Sequence, residues 1–95
     1  MINIKLNEFK VSSADLNHKN LLFFEFAEKI KPITNIKINS DKIILISQKD
    51  KNSLNLQEFI AITKDINENH SFFIENPHIT KIFGYRINKN RIIFG

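Results

Sequence analysis

The chain of 95 residues has no cysteine and no tryptophan, and only 2 glycines, 2 prolines and 1 tyrosine. Without thiols there is no disulfide framework, no thiolate metal site and no cysteine nucleophile. Gly84 and Gly95 stand too far apart for a phosphate-cradling loop, a dinucleotide fingerprint or a Gly-x-Ser-x-Gly nucleophile turn. Each of those motifs needs clustered glycines where backbone approaches a ligand or takes a positive φ. Long apolar runs are missing as well: Leu21-Leu22-Phe23-Phe24 is stopped by Glu25, far short of the roughly 20 residues a membrane helix needs. Met1-Ile2-Asn3-Ile4-Lys5 lacks the apolar stretch behind a basic start that marks an export signal. These absences predict a cytoplasmic protein with no membrane partner, no cofactor and no resident metal.

What is present suits one packed interior. Hydrophobic residues make up 42% of the chain, with 9 phenylalanines among them, which is ample for one small core and too little for two. The net charge of +4 is unevenly placed. All acidic residues fall before Asn76, where lysines balance them; Lys81, Arg86, Lys89 and Arg91 then supply the whole excess. A surface made by this last segment would steer an anionic partner.

The second half echoes the first. Ile36-Lys37-Ile38-Asn39 and Ile43-Ile44-Leu45 return as Tyr85-Arg86-Ile87-Asn88 and Ile92-Ile93-Phe94. At the same spacing Asn20, Phe23, Phe24, Ile30 and Ile33 match Asn69, Phe72, Phe73, Ile79 and Ile82. A slip of one residue aligns Glu8-Phe9 and Asp15-Leu16-Asn17 with Glu58-Phe59 and Asp65-Ile66-Asn67. The expectation is an internal duplication, residues 1–48 and 49–95, whose two repeats share one core in a single domain.

Hydrophobic periodicity assigns the elements. Ile2, Ile4 and Leu6 alternate with polar residues, the period of a strand. Leu22, Phe23, Phe26, Ala27 and Ile30 recur at steps of three and four, which predicts a helix capped by Ser13 or Asn17 and stopped by Pro32. Glu25 and Lys29 would then form an outward pair four residues apart. A hairpin follows; a two-residue turn at Ser40-Asp41 places Ile38 opposite Ile43 and Asn39 opposite Lys42, while the lack of a turn glycine leaves a longer loop with another register as the alternative. Leu56, Phe59, Ile60, Thr63 and Ile66 predict a second helix with Ser53 as its cap. Its aligned counterpart near Phe9 reads instead as strand or loop, so periodicity and repeat disagree there. Phe72-Phe73-Ile74 reads as a strand because Pro77 bars a long helix. The last hairpin places Tyr85, Ile87, Ile92 and Phe94 on one face and Arg86, Asn88 and Arg91 on the other. The predicted fold is α+β, with two helices packed on one face of an antiparallel sheet of four to six strands and a pseudo-two-fold duplication.

No residue set promises catalysis. His70 and His78 flank Glu75, but a metal or acid–base site there needs the segment to turn back on itself and a third ligand. An enzyme is not expected. The basic hairpins are the better candidates: Lys37 and Lys42 in the first, Arg86, Lys89 and Arg91 in the second, with their cations turned outward. A protein partner of acidic character fits this charge, and a rigid domain without a catalytic set suits an inhibitor, immunity or adaptor protein of a mobile element that acts by steric occlusion. Phe26 and Phe83 are candidates for exposed anchors. The alternative is a regulatory protein that binds DNA or RNA through the same faces, although with Tyr85 and Phe94 on the apolar side those faces would lack stacking aromatics. An exposed strand edge would also serve to pair two copies of the chain.

Overall fold

The computed structural model describes residues 4–75 and 78–95. Its first helix, α1 (Leu6–Ser12), begins where Lys5 donates its backbone N–H to the Glu8 carboxylate at 3.0 Å. The second, α2 (Leu56–Ile62), begins with a complete capping box. Glu58 N–H donates to the Asn55 side chain at 2.8 Å, and Asn55 N–H donates to the Glu58 carboxylate at 3.0 Å. That arrangement satisfies two donors the helix leaves open. Each helix drives two side chains inward, Leu6 with Phe9 and Leu56 with Phe59. Each also ends on a hydroxyl: Ser13 Oγ donates to the Phe9 carbonyl, and Thr63 Oγ1 to the Phe59 carbonyl. Two expectations are corrected here. Leu6 opens a helix rather than closing a strand (Ile2 lies outside the described residues), and Asn55, not Ser53, caps α2.

The expected helix after Asn17 is a hairpin. Strand β1 (Leu21–Phe26) turns at Ala27-Glu28 into β2 (Lys29–Pro32). Six residues, five of them apolar, satisfy both periods, and aromatic residues favour a pleated, half-buried surface. Leu22 and Phe24 point into the core while Phe23 and Glu25 alternate outward. Glu25 faces Ile30 across the hairpin, so the helical pair with Lys29 does not form. The remaining strands are β3 (Asn35–Asn39), β4 (Lys42–Ile46), β5 (Ser71–Glu75), β6 (Ile79–Lys81), β7 (Tyr85–Asn88) and β8 (Arg91–Phe94). Both predicted basic hairpins form with two-residue turns and the expected register, Asn39 opposite Lys42 and Asn88 opposite Arg91.

In place of one antiparallel sheet there are two four-stranded mixed sheets, ordered β2-β1-β8-β7 and β3-β4-β5-β6. Each joins an early hairpin to a late one through a parallel central pair, β1 with β8 and β4 with β5. Leu22 lies opposite Ile92 as Phe72 lies opposite Ile43. The position equivalent to Phe23 is therefore Phe73 rather than the Phe72 of the sequence match. The helices dock by matching joints: Leu6 N–H donates to the His70 carbonyl, and Leu56 N–H to the Asn20 carbonyl, each at 2.9 Å.

Inward residues of both sheets and both helices meet in one core. Phe9 is its hub, with ring centroids 5.3 Å from Phe59, 5.7 Å from Phe72, 5.1 Å from Tyr85 and 5.2 Å from Phe94. These spacings match favourable aromatic pairing. Tyr85 also reaches Ser12 through its hydroxyl. No helix of the described residues is long and apolar enough to cross a membrane.

Two stability predictions follow from local geometry. Ala27 and Glu28 both have positive φ, 52° and 66°, the pattern of a type I′ turn that favours Asn-Gly and penalises side chains bearing Cβ. The double substitution Ala27→Asn with Glu28→Gly should stabilise by about 1 kcal/mol or more, a rise in Tm of about 4–8 °C for a domain of this size. Lys5 has no side-chain acceptor to match Asn55 of α2, and the Glu8 N–H goes instead to the adjacent Asn7 side chain at 2.9 Å. Lys5→Asn should complete the first capping box and add about 0.5–1 kcal/mol, measured as a higher urea midpoint with unchanged m-value.

Candidate functional site

Residues directly opposite one another in a sheet share a face, so strand register settles what each outer surface displays. On the sheet of β3 to β6, Lys37 lies opposite Ile44, Ile44 opposite Phe73, and Phe73 opposite Lys81. Asn39 lies opposite Lys42, and Glu75 opposite Ile79. On the other sheet, Arg86 lies opposite Ile93 and Ile93 opposite Phe23, with Asn88 opposite Arg91 and Glu25 opposite Ile30. Ile44 and Ile93 are only 1% exposed although they stand outside the central cluster. Each outer face thus has an aliphatic floor, a half-buried phenylalanine and a ring of long polar side chains.

The cations are held rather than dangling. The Arg91 guanidinium lies over the Phe23 ring, 4.8 Å from its centroid. Lys42 and Lys81 lie over Phe73 at 5.6 and 5.9 Å. Ring quadrupoles attract cations at such distances. Arg86 donates to the Glu25 carboxylate at 2.8 Å, while Lys42 also approaches Asp41 at 3.9 Å. Both pairs are solvent-exposed, which limits each to about 0–1 kcal/mol; they orient side chains more than they stabilise the fold.

The five residues singled out by the sequence therefore do not form one surface. Lys37 and Lys42 belong to one sheet, and Arg86 and Arg91 to the other. Lys89, at the turn, joins Asn88, Asn90 and Arg91 around a shallow polar hollow. The expectation that these faces lack aromatics is overturned by Phe23 and Phe73. Phe23 was hidden inside an apparent helix, and Phe73 gained its cation only through a pairing between distant strands. Lys81 was visible among the excess cations but had no partner until β5 and β6 paired. Phe26 and Phe83 are 37% and 42% exposed, as the sequence reading expected.

The histidines do not converge. His70 is buried and its Nδ1–H donates to the Asn67 carbonyl at 2.6 Å, bracing the turn on which α1 docks. Glu75 stands at the far end of β5, about 16 Å away at the usual strand rise. His78 is exposed, with its backbone carbonyl accepting from Thr80 Oγ1. Among the described residues no three His, Asp or Glu side chains gather as metal ligands would.

What the outer faces can do is present cations in fixed positions above an apolar floor, the chemistry of carboxylate or phosphate recognition. The ring–cation contact is measurable. A double-mutant cycle with Phe23→Leu and Arg91→Gln should return a coupling of about 0.5–1 kcal/mol, and a coupling of zero would detach the guanidinium from the ring. The chain matches no protein-family model, no curated protein and no solved structure.

Proposed function

We propose that this chain is a small non-enzymatic protein-binding module, an inhibitor, immunity or adaptor protein that occludes an acidic protein partner with its cationic sheet faces. The observation that carries this reading is the seating of Arg91 on Phe23 and of Lys42 and Lys81 on Phe73. Cations positioned before binding lose less side-chain entropy when they meet carboxylates. The surrounding Ile30 and Ile79, 41% and 48% exposed, supply the apolar contact that a protein interface needs at its centre. We also propose that the fold arose as a duplication of a helix followed by two hairpins. The matching helix joints, hairpin registers and ring–cation contacts support that origin. Within this reading the protein works in the cytoplasm and belongs to a mobile element.

Nucleic acid is the second reading, and Phe23 and Phe73 beside their cations are the observation in its favour. Against it, both rings are half-buried and already carry cations, whereas base stacking needs an open aromatic surface.

Affinity capture from host lysate, with and without nuclease, separates the two. The expected result is a discrete acidic protein retained after nuclease, and lost when Lys37, Lys42, Arg86 and Arg91 are all changed to Glu. The same four changed to Gln should weaken capture less, with circular dichroism and Tm close to those of the parent chain. Retention of the partner by the fourfold Glu variant would reject the faces as the site. Nucleic acid in the eluate, bound with a salt slope of about 0.7–0.9 log units per phosphate contact, would replace the protein reading.

A further inference from the structure

The two outer faces share most of their side-chain arrangement and differ opposite the phenylalanine, where Lys81 faces Phe73 on one sheet and Pro32 faces Phe23 on the other. Lys37 opposite Ile44 corresponds to Arg86 opposite Ile93, and Asn39 opposite Lys42 to Asn88 opposite Arg91. Phe73 beside Ile44 corresponds to Phe23 beside Ile93. Glu75 opposite Ile79 corresponds to Glu25 opposite Ile30. Even the contact between side chains recurs, a cation from one central strand lying over the phenylalanine of the other. The inward residues of both sheets enter one core, so the two faces look away from each other across the body of the domain.

From this repetition we infer that the chain is bivalent: it holds two acidic peptide segments at once, one on each sheet face, and so bridges two copies of its partner. The inference rests on the protein-binding reading above and adds stoichiometry and geometry to it. Each face offers at least two outward cations within one sheet, Lys37 with Lys42 or Arg86 with Arg91, beside one phenylalanine; Arg86 must share or exchange its exposed Glu25 partner for the peptide's carboxylate. Charge complementarity selects a segment carrying several carboxylates. A partner lying along one sheet leaves the opposite sheet uncovered, so binding at one site does not block the other. Bridging converts a modest affinity per face into avidity whenever the partner is itself multivalent or locally concentrated.

The test uses the whole chain and a probe of stated chemistry, a 12-residue peptide of alternating Glu and Ser, followed by native mass spectrometry and calorimetric titration. The parent chain should take two peptides. The pair Lys37→Glu with Lys42→Glu should take one, as should the pair Arg86→Glu with Arg91→Glu, and the fourfold variant should take none. In each pair variant the surviving site reports that the domain is folded. One peptide on the parent chain, lost with one pair and untouched by the other, would overturn bivalency and leave the protein-binding reading standing. No peptide on the parent chain would overturn both. Oligothymidylate of matched length binding in place of the peptide would overturn both in favour of nucleic acid.

Discussion

Parallel pairing of β1 with β8 and of β4 with β5 is the constraint on which this fold depends. Leu21 is hydrogen-bonded beside the strand that starts at Arg91, and Lys42 beside the strand that starts at Ser71. Each sheet is thereby composed of one hairpin from the first half of the chain and one from the second. Neither half can complete a sheet alone. A two-stranded hairpin is marginal in water, and three or more strands over an apolar face are needed before it holds. The helices are bound by the same exchange, since α1 docks on the turn at His70 and α2 on the turn at Asn20. Long-range pairing of this kind also delays folding, because loop closure is paid for before contacts reward it.

The same exchange builds the outer faces. Arg91 reaches Phe23, and Lys42 reaches Phe73, only because strands distant in sequence lie side by side. The cation–ring contacts are therefore products of topology rather than of any local motif. They also explain how a phenylalanine can stand on the solvent side of each sheet. The stem and head of a long basic side chain shield part of the ring while keeping the charge in water. Ile44 and Ile93 beneath are shielded to 1% exposure, so each face has a sealed floor and a charged rim.

Much of this was legible in the residues, and the failures have physical causes. The two basic hairpins and their faces were legible, because Ile alternates with Lys, Arg and Asn, while the register waited on whether a turn without glycine could be held to two residues. The second helix was visible in Leu56 and Phe59. The first was overlooked because Ile4 and Leu6 alternate with polar residues, although the one-residue slip that pairs Glu8-Phe9 with Glu58-Phe59 pointed to it. Residues 21–26 failed for the opposite reason: Phe23 on the outer face made both sides of a strand apolar, and a continuous apolar run fits a helix equally well. Parallel pairing left no local trace at all. No turn connects β1 to β8, and so neither the division into two sheets nor the separation of the basic hairpins could be read from spacing.

A chain with two glycines must also make its turns from other residues. Ala27, Glu28, Ser40, Asp50 and Lys89 all take positive φ, a conformation that costs each of them roughly 1–2 kcal/mol. Such strain persists where the surrounding structure over-determines it. Here Phe26 is paired with Lys29, Asn39 with Lys42 and Asn88 with Arg91 on either side of three of the turns. The strands clamp the turns, and the aromatic hub around Phe9 clamps the strands. Ser40 and Lys89 occupy corresponding positions beside Lys42 and Arg91, so the tight two-residue loop holds each cation in register above its ring. The backbone strain and the cationic faces are two consequences of these tight hairpins.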